Sequence, residues 1–204
     1  MLLSILNYIT WTVKPEIIEG FHVRWYGLLF AAGFPIGYFI LQKMFKRENI
    51  KQEVLDGIVT SALIGIVIGA RLGHCLFYQP EYYLKHPLEI LMIWEGGLAS
   101  HGATIGILLA FYIYSRKNKL DYLWVLSRAA VVVPIGAGLI RLGNLMNSEI
   151  YGHPTTLPWG FLFVNSSDVR YGLEQLEPRH PTQLYEAFAY FIIFAILISY
   201  YNVK

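Results

Sequence analysis

Residues 131–147 read Val131-Val-Val-Pro-Ile-Gly-Ala-Gly-Leu-Ile-Arg-Leu-Gly-Asn-Leu-Met-Asn147. The run is apolar enough for a membrane-spanning helix, yet Arg141 stands inside it. A charged side chain at the centre of a membrane helix costs about 2.5–3.5 kcal/mol on insertion scales and is usually kept for function. Arg71 interrupts a second apolar run, and His101 follows a glycine-rich stretch. The sequence therefore predicts a membrane protein that contains a polar, cationic and histidine-bearing chamber.

The composition agrees with a membrane protein and disfavours other classes. Only 15% of the 204 residues are charged, against about 25% in soluble domains. The net charge is +2, and no basic patch alternates with aromatic residues, so nucleic acid is not a predicted partner. The one cysteine, Cys75, excludes an internal disulfide framework. We predict no metal site, because the histidines lack partners at helical spacing and one cysteine cannot form a thiolate site. We predict no cofactor either, and the sequence has no glycine-rich nucleotide loop.

The hydropathy pattern contains five stretches apolar enough to cross a membrane, which takes about 20 helical residues. They are residues 25–44, 55–78, 98–114, 123–145 and 184–201. Lysines and arginines concentrate in the short links after the first and third stretches, so the positive-inside rule places those links in the cytoplasm. The N-terminus and the longer links then lie outside. We expect an all-α, polytopic integral membrane helix bundle, with residues 1–204 forming a single membrane domain.

Two longer links need a separate description. Residues 80–97 are rich in aromatic side chains and are predicted to lie along the membrane interface before entering a tight glycine turn. Residues 145–182 contain several prolines and are predicted to form a small extracytoplasmic head inserted in the membrane domain. Within that head, residues 159–164 are predicted to form a short strand.

Polar side chains cluster at the extracytoplasmic end of every predicted span. The arginines, histidines and carboxylates concerned are Arg24, Arg71, His74, His101, Arg141, Glu149, Arg179 and Glu186. An interfacial belt of snorkelling side chains explains Arg24 and Arg179 well. It explains Arg141 poorly, because the glycines around it are typical of a tight helix–helix interface.

Arg141 and Asn144 are three residues apart and so share one helix face, and Asn147 extends that face. A guanidinium fork beside an amide donor suits a phosphate group. Glu149 is a candidate either to orient Arg141 or to serve as its counter-ion in the resting state. The phosphate of a ligand is the other candidate for the anionic partner of Arg141.

His101 lies between Gly97 and Gly102, near the mouth of the predicted chamber. A histidine there can act as a general base near neutral pH, although a lone histidine is more often structural. His74 and His180 are interpreted as structural residues.

Five motifs along the chain carry a resemblance to a known family. They are Arg24-Trp-Tyr-Gly-Leu28, Gly69-Ala-Arg-Leu-Gly73, Trp94-Glu-Gly-Gly-Leu-Ala-Ser-His-Gly102, Arg141-Leu-Gly-Asn-Leu-Met-Asn-Ser-Glu149 and Arg179-His-Pro-Thr-Gln-Leu-Tyr-Glu186. In this order they resemble the prolipoprotein diacylglyceryl transferases of bacteria. The resemblance implies transfer of the diacylglyceryl group from phosphatidylglycerol to the lipobox cysteine in the signal peptide of a prolipoprotein. A thioether forms and glycerol phosphate leaves, at the outer side of the bacterial cytoplasmic (inner) membrane.

The resemblance also implies which residues do the work. The catalytic residues would be Tyr26, His101 and Arg141. The substrate-binding residues would be Arg141, Asn144, Glu149, Gly152, Arg71, Gly97, Gly102, Arg179 and Tyr185. Two departures from the family pattern are Ala103, where many members have glycine, and Ser127, where many have aspartate. The family's last transmembrane helix, which bears a tyrosine and an arginine of the active site, is expected to have no counterpart in these 204 residues.

Two other functions are compatible with the pattern of charged residues. A non-catalytic membrane transporter or binding protein for lipids or anions would need the same buried arginines but not His101. A structural membrane subunit would need neither.

Overall fold

The computed structural model describes residues 8–18, 20 and 23–203, and most of these are helical. The helices are α1 (Trp25–Arg47), α2 (Gln52–Phe77), α3 (Pro80–Lys85), α4 (Ser100–Lys117), α5 (Tyr122–Met146), α6 (Ser167–Arg170) and α7 (Thr182–Val203). Two short strands, β1 (Ile9–Trp11) and β2 (Phe161–Phe163), and two 3-10 segments, Pro87–Leu91 and Ile93–Glu95, complete the described elements.

The five long helices fall on the five predicted spans. By length and composition, four helices in the described part of the chain can cross a membrane, namely α1, α2, α5 and α7. The fifth, α4, has 18 residues and is not among them, because polar residues occupy both of its ends. The chain is an all-α polytopic membrane protein, whereas the membrane crossing of α4 stays a prediction.

The internal contacts of the chain divide it into two compact units. Unit 1 comprises the described residues of Met1–Phe39 and Val131–Lys204, and unit 2 comprises Ile40–Ala130. Helices α1 and α5 each contribute one part to each unit. The single membrane domain and the head insertion at residues 145–182 stay predictions.

In unit 2, helices α2 and α4 approach each other closely through glycines. A Cβ atom at Gly73 would lie 2.6 Å from the Cα of Gly102, and one at Gly69 would lie 2.8 Å from the Cα of Gly106. No side chain fits at these positions unless the backbones separate. Small residues permit this approach in membrane helices, where packing drives association. The contact fixes the first turn of α4 against the last turns of α2.

A second stabilising contact in unit 2 is the ion pair between Glu48 and Arg128. Glu48, just after α1, accepts bonds from Arg128 Nε at 3.1 Å and Nη2 at 2.9 Å. Trp124 Nε1 donates to the same carboxylate at 3.1 Å, and the Arg128 guanidinium lies 4.8 Å from the centroid of the Trp124 ring. This bidentate geometry is the stronger form of an arginine–carboxylate pair. It ties the end of α1 to the start of α5.

In unit 1, glycines of α5 pack against its neighbours. A Cβ at Gly138 would lie 2.6 Å from the Phe191 ring of α7, and one at Gly143 would lie 2.8 Å from the Tyr26 ring of α1. The predicted tight interfaces around Arg141 are therefore confirmed at these two glycines. At Gly136 the added atom would meet nothing within 4 Å, so this glycine is not required by close packing.

The segment between α5 and α7 packs on a small apolar core. Strand β2 confirms the strand predicted at 159–164, and it pairs in parallel with β1 so that Ile9 faces Phe161. Phe161 and Phe163 pack with Leu145, and Trp11 covers them while its Nε1 donates to the carbonyl of Leu145 at 3.0 Å. The core thus links the end of α5 to this segment.

Candidate active site

Arg141 lies near the C-terminal end of α5, and a carboxylate of α7 is its partner. Its Nε lies 2.8 Å from Oε2 of Glu186, and the two side chains are 25% and 38% exposed. The carboxylate paired with Arg141 is therefore not Glu149, which was predicted from the sequence, and the phosphate of a ligand stays a predicted partner. The resting counter-ion is Glu186, which lies one turn inside α7.

Asparagine side chains connect Arg141 to Glu149. Arg141 Nη1 donates to Asn144 Oδ1 at 3.4 Å, and Asn144 Nδ2 donates to Glu149 Oε1 at 2.9 Å. Asn147 Nδ2 donates to the same oxygen at 3.1 Å. Helix α5 ends at Met146, so Asn147 stands in the following turn rather than on the predicted helix face. We call Arg141, Asn144, Asn147, Glu149 and Glu186 the Arg141 cluster.

The turn that carries Glu149 is held by the start of α7. Gln183 Nε2 donates to the backbone carbonyl of Glu149 at 2.8 Å, and Gln183 is fully buried. Among the described residues, the buried oxygens Asn147 Oδ1, Ser148 Oγ and Gln183 Oε1 have no hydrogen-bond partner. Buried polar atoms normally find one. These oxygens can therefore accept hydrogen bonds beside the Arg141 cluster.

The Arg141 cluster has an uneven balance of charge. It contains one guanidinium and two carboxylates, and Glu149 is bound by neutral amides rather than by a cation. An arginine has five N–H groups; Glu186 Oε2 lies 2.8 Å from Nε in an ion pair, and Nη1 donates one bond to Asn144. Within the described residues, no group occupies Nη2. The terminal edge of the guanidinium therefore stays available to an anion.

Tyr26 and Gly152, two further predicted site residues, also lie in unit 1. The ring of Tyr26, in the first turn of α1, covers Gly143, which lies two residues after Arg141. Gly152 allows the chain after Glu149 to pass close to α7: a Cβ there would lie 2.6 Å from Thr182 Cγ2, and its amide donates to the carbonyl of His180 at 2.9 Å. Unit 1 therefore brings Tyr26 to the helix turn that bears Arg141, and Gly152 to the start of α7.

Arg179 is engaged elsewhere in unit 1. Its Nη2 lies 3.1 Å from Glu174 and 2.8 Å from Glu177, and its guanidinium lies 5.4 Å from the centroid of the Tyr151 ring. Burial raises the pKa of Tyr151, whose hydroxyl stays neutral and donates to Glu174 at 3.0 Å. These contacts make Arg179 a structural residue of the segment between α5 and α7. Its substrate-binding role stays a prediction.

Tyr185 belongs to a partly exposed hydrogen-bonded group. Its hydroxyl accepts a bond from Trp159 Nε1 at 2.9 Å and lies 3.2 Å from His180 Nδ1. Because an indole N–H can only donate, the tyrosine proton is free to point to the histidine. His180, interpreted as structural, is thus bound to a predicted substrate-binding residue.

In unit 2, Arg71 holds the segment that precedes α4. It is only 3% exposed. Its guanidinium donates to the carbonyl of Ile90 at 2.9 Å, to that of Gly96 at 2.6 Å and to that of Glu89. These backbone bonds use most of its donors, and the Tyr83 ring lies 5.1 Å from it. The structure thus gives Arg71 a role in shaping this segment, while its predicted contact with substrate stays a prediction.

His101 stands in the first turn of α4, in unit 2. Its exposed ring contacts Phe77 and Tyr78, with centroid distances of 5.3 and 5.8 Å. No described side chain forms a hydrogen bond with its ring nitrogens, so they are available to exchange a proton. The ring of His74 instead packs on Gly97, where φ is +70° and an added Cβ would lie 2.5 Å from the ring. Gly102 belongs to the close contact between α2 and α4 described above.

The predicted residues therefore fall into two sets, one in each unit. Unit 1 contains Tyr26, Arg141, Asn144, Glu149, Gly152, Arg179 and Tyr185, and unit 2 contains Arg71, Gly97, His101 and Gly102. Sequence reasoning missed Glu186 and Gln183 as site residues. Their signal was the motif 179–186, in which Gln183 directly precedes the predicted span 184–201 and Glu186 lies in its first turn.

The comparisons with known proteins agree with the resemblance found in the motifs. The family model described as prolipoprotein diacylglyceryl transferase matches residues 15–204. The chain is 47% identical over 199 residues to the phosphatidylglycerol–prolipoprotein diacylglyceryl transferase of Porphyromonas gingivalis, covering 95% of this chain and 70% of that protein. It is 46% identical over 198 residues to the protein of the same name from Chloroherpeton thalassium, covering 96% and 71%. The chain belongs to the prolipoprotein diacylglyceryl transferase family.

Proposed function

We propose that this chain transfers the diacylglyceryl group of phosphatidylglycerol to the thiol of the lipobox cysteine in a prolipoprotein. The cysteine sulfur forms a bond to the terminal glyceryl carbon of the diacylglyceryl group. The bond from that carbon to the phosphate oxygen breaks, its electron pair stays on the oxygen, and glycerol phosphate leaves. The thiol proton passes to a base. The step needs no cofactor.

The Arg141 cluster carries this proposal. Arg141 is held on one side by Glu186 and Asn144, and its terminal N–H groups are available. The planar guanidinium of an arginine can bind a phosphate through two parallel hydrogen bonds. As glycerol phosphate departs, negative charge grows on the leaving oxygen, and fixed donors aimed at that charge lower the barrier. Arg141 would then act in both binding and catalysis, with Asn144 and Glu149 fixing its surroundings.

His101 is proposed as the base that takes the thiol proton. A free cysteine has a pKa of about 8.5, so most of it is protonated at neutral pH and is a poor nucleophile. Histidine is the side chain that most often takes up a proton in catalysis. The exposed ring of His101 has the freedom that this role requires.

The reaction is proposed to take place at the outer side of the bacterial cytoplasmic membrane. The apolar helices α1, α2, α5 and α7 support a position in a bilayer, which would supply the lipid substrate. The basic links after the first and third predicted spans support the orientation, since such links stay in the cytoplasm.

A transfer assay tests the proposed function. The purified chain would be placed in phosphatidylglycerol liposomes with a peptide containing a lipobox cysteine, and the peptide mass would be measured. We expect a thioether-linked diacylglyceryl peptide, and none with a control peptide in which serine replaces the cysteine. Movement of phosphatidylglycerol between leaflets without a lipidated peptide would instead support a transporter.

A further inference from the structure

The ion pair between Arg141 and Glu186 has a use beyond neutralising a charge, and the following inference rests on the proposed function. Glu186 contacts Nε, at the inner side of the guanidinium, at 2.8 Å. Asn144 contacts Nη1 at 3.4 Å. The two contacts come from different helices, α7 and α5, and together they fix the plane and the rotation of the guanidinium.

The fixed plane determines which donors are left. The terminal edge of the guanidinium carries one N–H of Nη1 and one of Nη2, and a phosphate can receive two parallel bonds from such an edge. An arginine without the Glu186 contact would rotate about its long flexible stem. It would then have to be ordered each time the lipid binds, and such ordering reduces both affinity and rate.

The negative charge of Glu186 disfavours the binding of a phosphate by Arg141. The cluster contains two carboxylates and one guanidinium, a balance that disfavours an anionic ligand. For phosphate binding, a glutamate at this position is therefore useful for where its oxygen lies rather than for its charge. We propose that Glu186 is a positioning residue that fixes the guanidinium of Arg141 through Nε, so that the Nη1 and Nη2 edge receives the lipid phosphate.

Two substitutions of Glu186 distinguish the effect of its oxygen's position from the effect of its charge. Glu186→Gln keeps a side-chain oxygen of the same reach beside Nε and removes the negative charge. Glu186→Ala removes both. We expect Glu186→Gln to stay close to the parent chain in kcat/KM for phosphatidylglycerol, or to exceed it. We expect Glu186→Ala to lose about 10-fold to 100-fold, as is typical when a catalytic group is misplaced by about 1 Å.

A matched control is offered by a second glutamate–arginine pair in unit 1. Glu16 lies 3.7 Å from Arg24, and both side chains are exposed. Glu16→Ala should leave the kinetics unchanged. The KM for the lipobox peptide and the melting temperature of Glu186→Ala should also match the parent chain, because positioning of Arg141 affects the phosphate and not the thiol.

Several results would overturn this role for Glu186. One is a Glu186→Ala chain with unchanged kinetics for phosphatidylglycerol. Another is a Glu186→Gln chain as poor as Glu186→Ala, which would mean that charge is what matters. A loss accompanied by a lower melting temperature and a changed peptide KM would show a structural role. If the parent chain itself forms no lipidated peptide, the proposed function fails, and binding of glycerol phosphate to the same three chains by calorimetry then decides the positioning role.

Discussion

At the scale of single residues, the surroundings of Arg141 explain how a membrane helix can hold a charge. Glu186 compensates the charge, Asn144 receives a further bond, and the side chain keeps 25% of its surface exposed. A partly exposed and paired arginine costs much less than an isolated one in hydrocarbon. The remaining donors give the residue its proposed function.

Arg141→Lys should nearly abolish transfer although the charge is kept. A lysine presents a point charge that cannot hold Glu186 and Asn144 and also offer a two-bond fork. Loss of one such donor set typically costs about 10²–10³-fold in kcat. The measurement is the rate of peptide lipidation by protein shown to be correctly inserted. Near-normal turnover would remove the phosphate-binding role from Arg141.

His101→Gln should reduce the rate while leaving the affinity for phosphatidylglycerol nearly intact. General-base assistance is usually worth about 10²–10⁴-fold, and glutamine cannot accept the thiol proton. Single-turnover kinetics at saturating lipid, together with a separate lipid-binding measurement, distinguish the two effects. A variant that binds lipid poorly but reacts normally at saturation would make His101 a binding residue.

The sequence predicted some residues of the site better than others. Arg141 and Asn144 were found because a local spacing of three residues places them on one helix face. Glu186 was not assigned as the partner because the pair joins two helices that are distant along the chain. Sequence spacing alone does not tell which of the carboxylates predicted at the same membrane depth pairs with Arg141. The hydrogen bonds from Arg71 to backbone carbonyls could not be predicted either, because no sequence pattern reveals them, while its contact with substrate stays a prediction.

At the scale of helices, the close contact between α2 and α4 leaves no room for a methyl group. In Gly69→Ala the new Cβ would meet the carbonyl of Gly102 and the Cα of Gly106. Overpacking of this kind costs about 1–3 kcal/mol, so we expect a lower melting temperature. Gly136→Ala is the control, because its Cβ meets nothing within 4 Å, and it should be neutral or stabilising by up to about 1 kcal/mol. Equal melting temperatures for the two variants would contradict the packing described for unit 2.

The segment before α4 should depend on Arg71. Arg71→Met keeps the apolar stem but removes the donors to the carbonyls at positions 89, 90 and 96. Hydrogen exchange at the amides of residues 89–97 should become faster, because the carbonyls that anchor this segment lose their partner. Arg128→Met, which breaks the other arginine anchor of unit 2, should leave that exchange unchanged. Unaltered exchange in Arg71→Met would show that the segment is held by other contacts.

The helices could be predicted from hydropathy, and their polar ends from the positions of arginines and histidines. The pairing of β1 with β2 could not, although β2 itself was predicted. The two strands have three residues each and join distant parts of the chain. Such short pairings depend on burial against Leu145 and Trp11 rather than on strand propensity.

At the scale of the whole molecule, the residues implied by the family are divided between the two units. Unit 1 contains the arginine, amide and carboxylate groups suited to a phosphate, and unit 2 contains the accessible histidine suited to a proton. The proposed reaction requires both kinds of group. The transporter alternative requires only the first, and the family relationship does not favour it.

The most direct test follows both parts of the lipid in one experiment. Phosphatidylglycerol labelled separately in its acyl chains and in its headgroup glycerol would be supplied to the chain with a lipobox peptide. We predict that the acyl label appears on the peptide while the headgroup label is released as glycerol phosphate in equal amount, and that Arg141→Lys loses both signals together. Acyl label on the peptide without equal release of glycerol phosphate, or undiminished signals from Arg141→Lys, would contradict a transfer centred on Arg141.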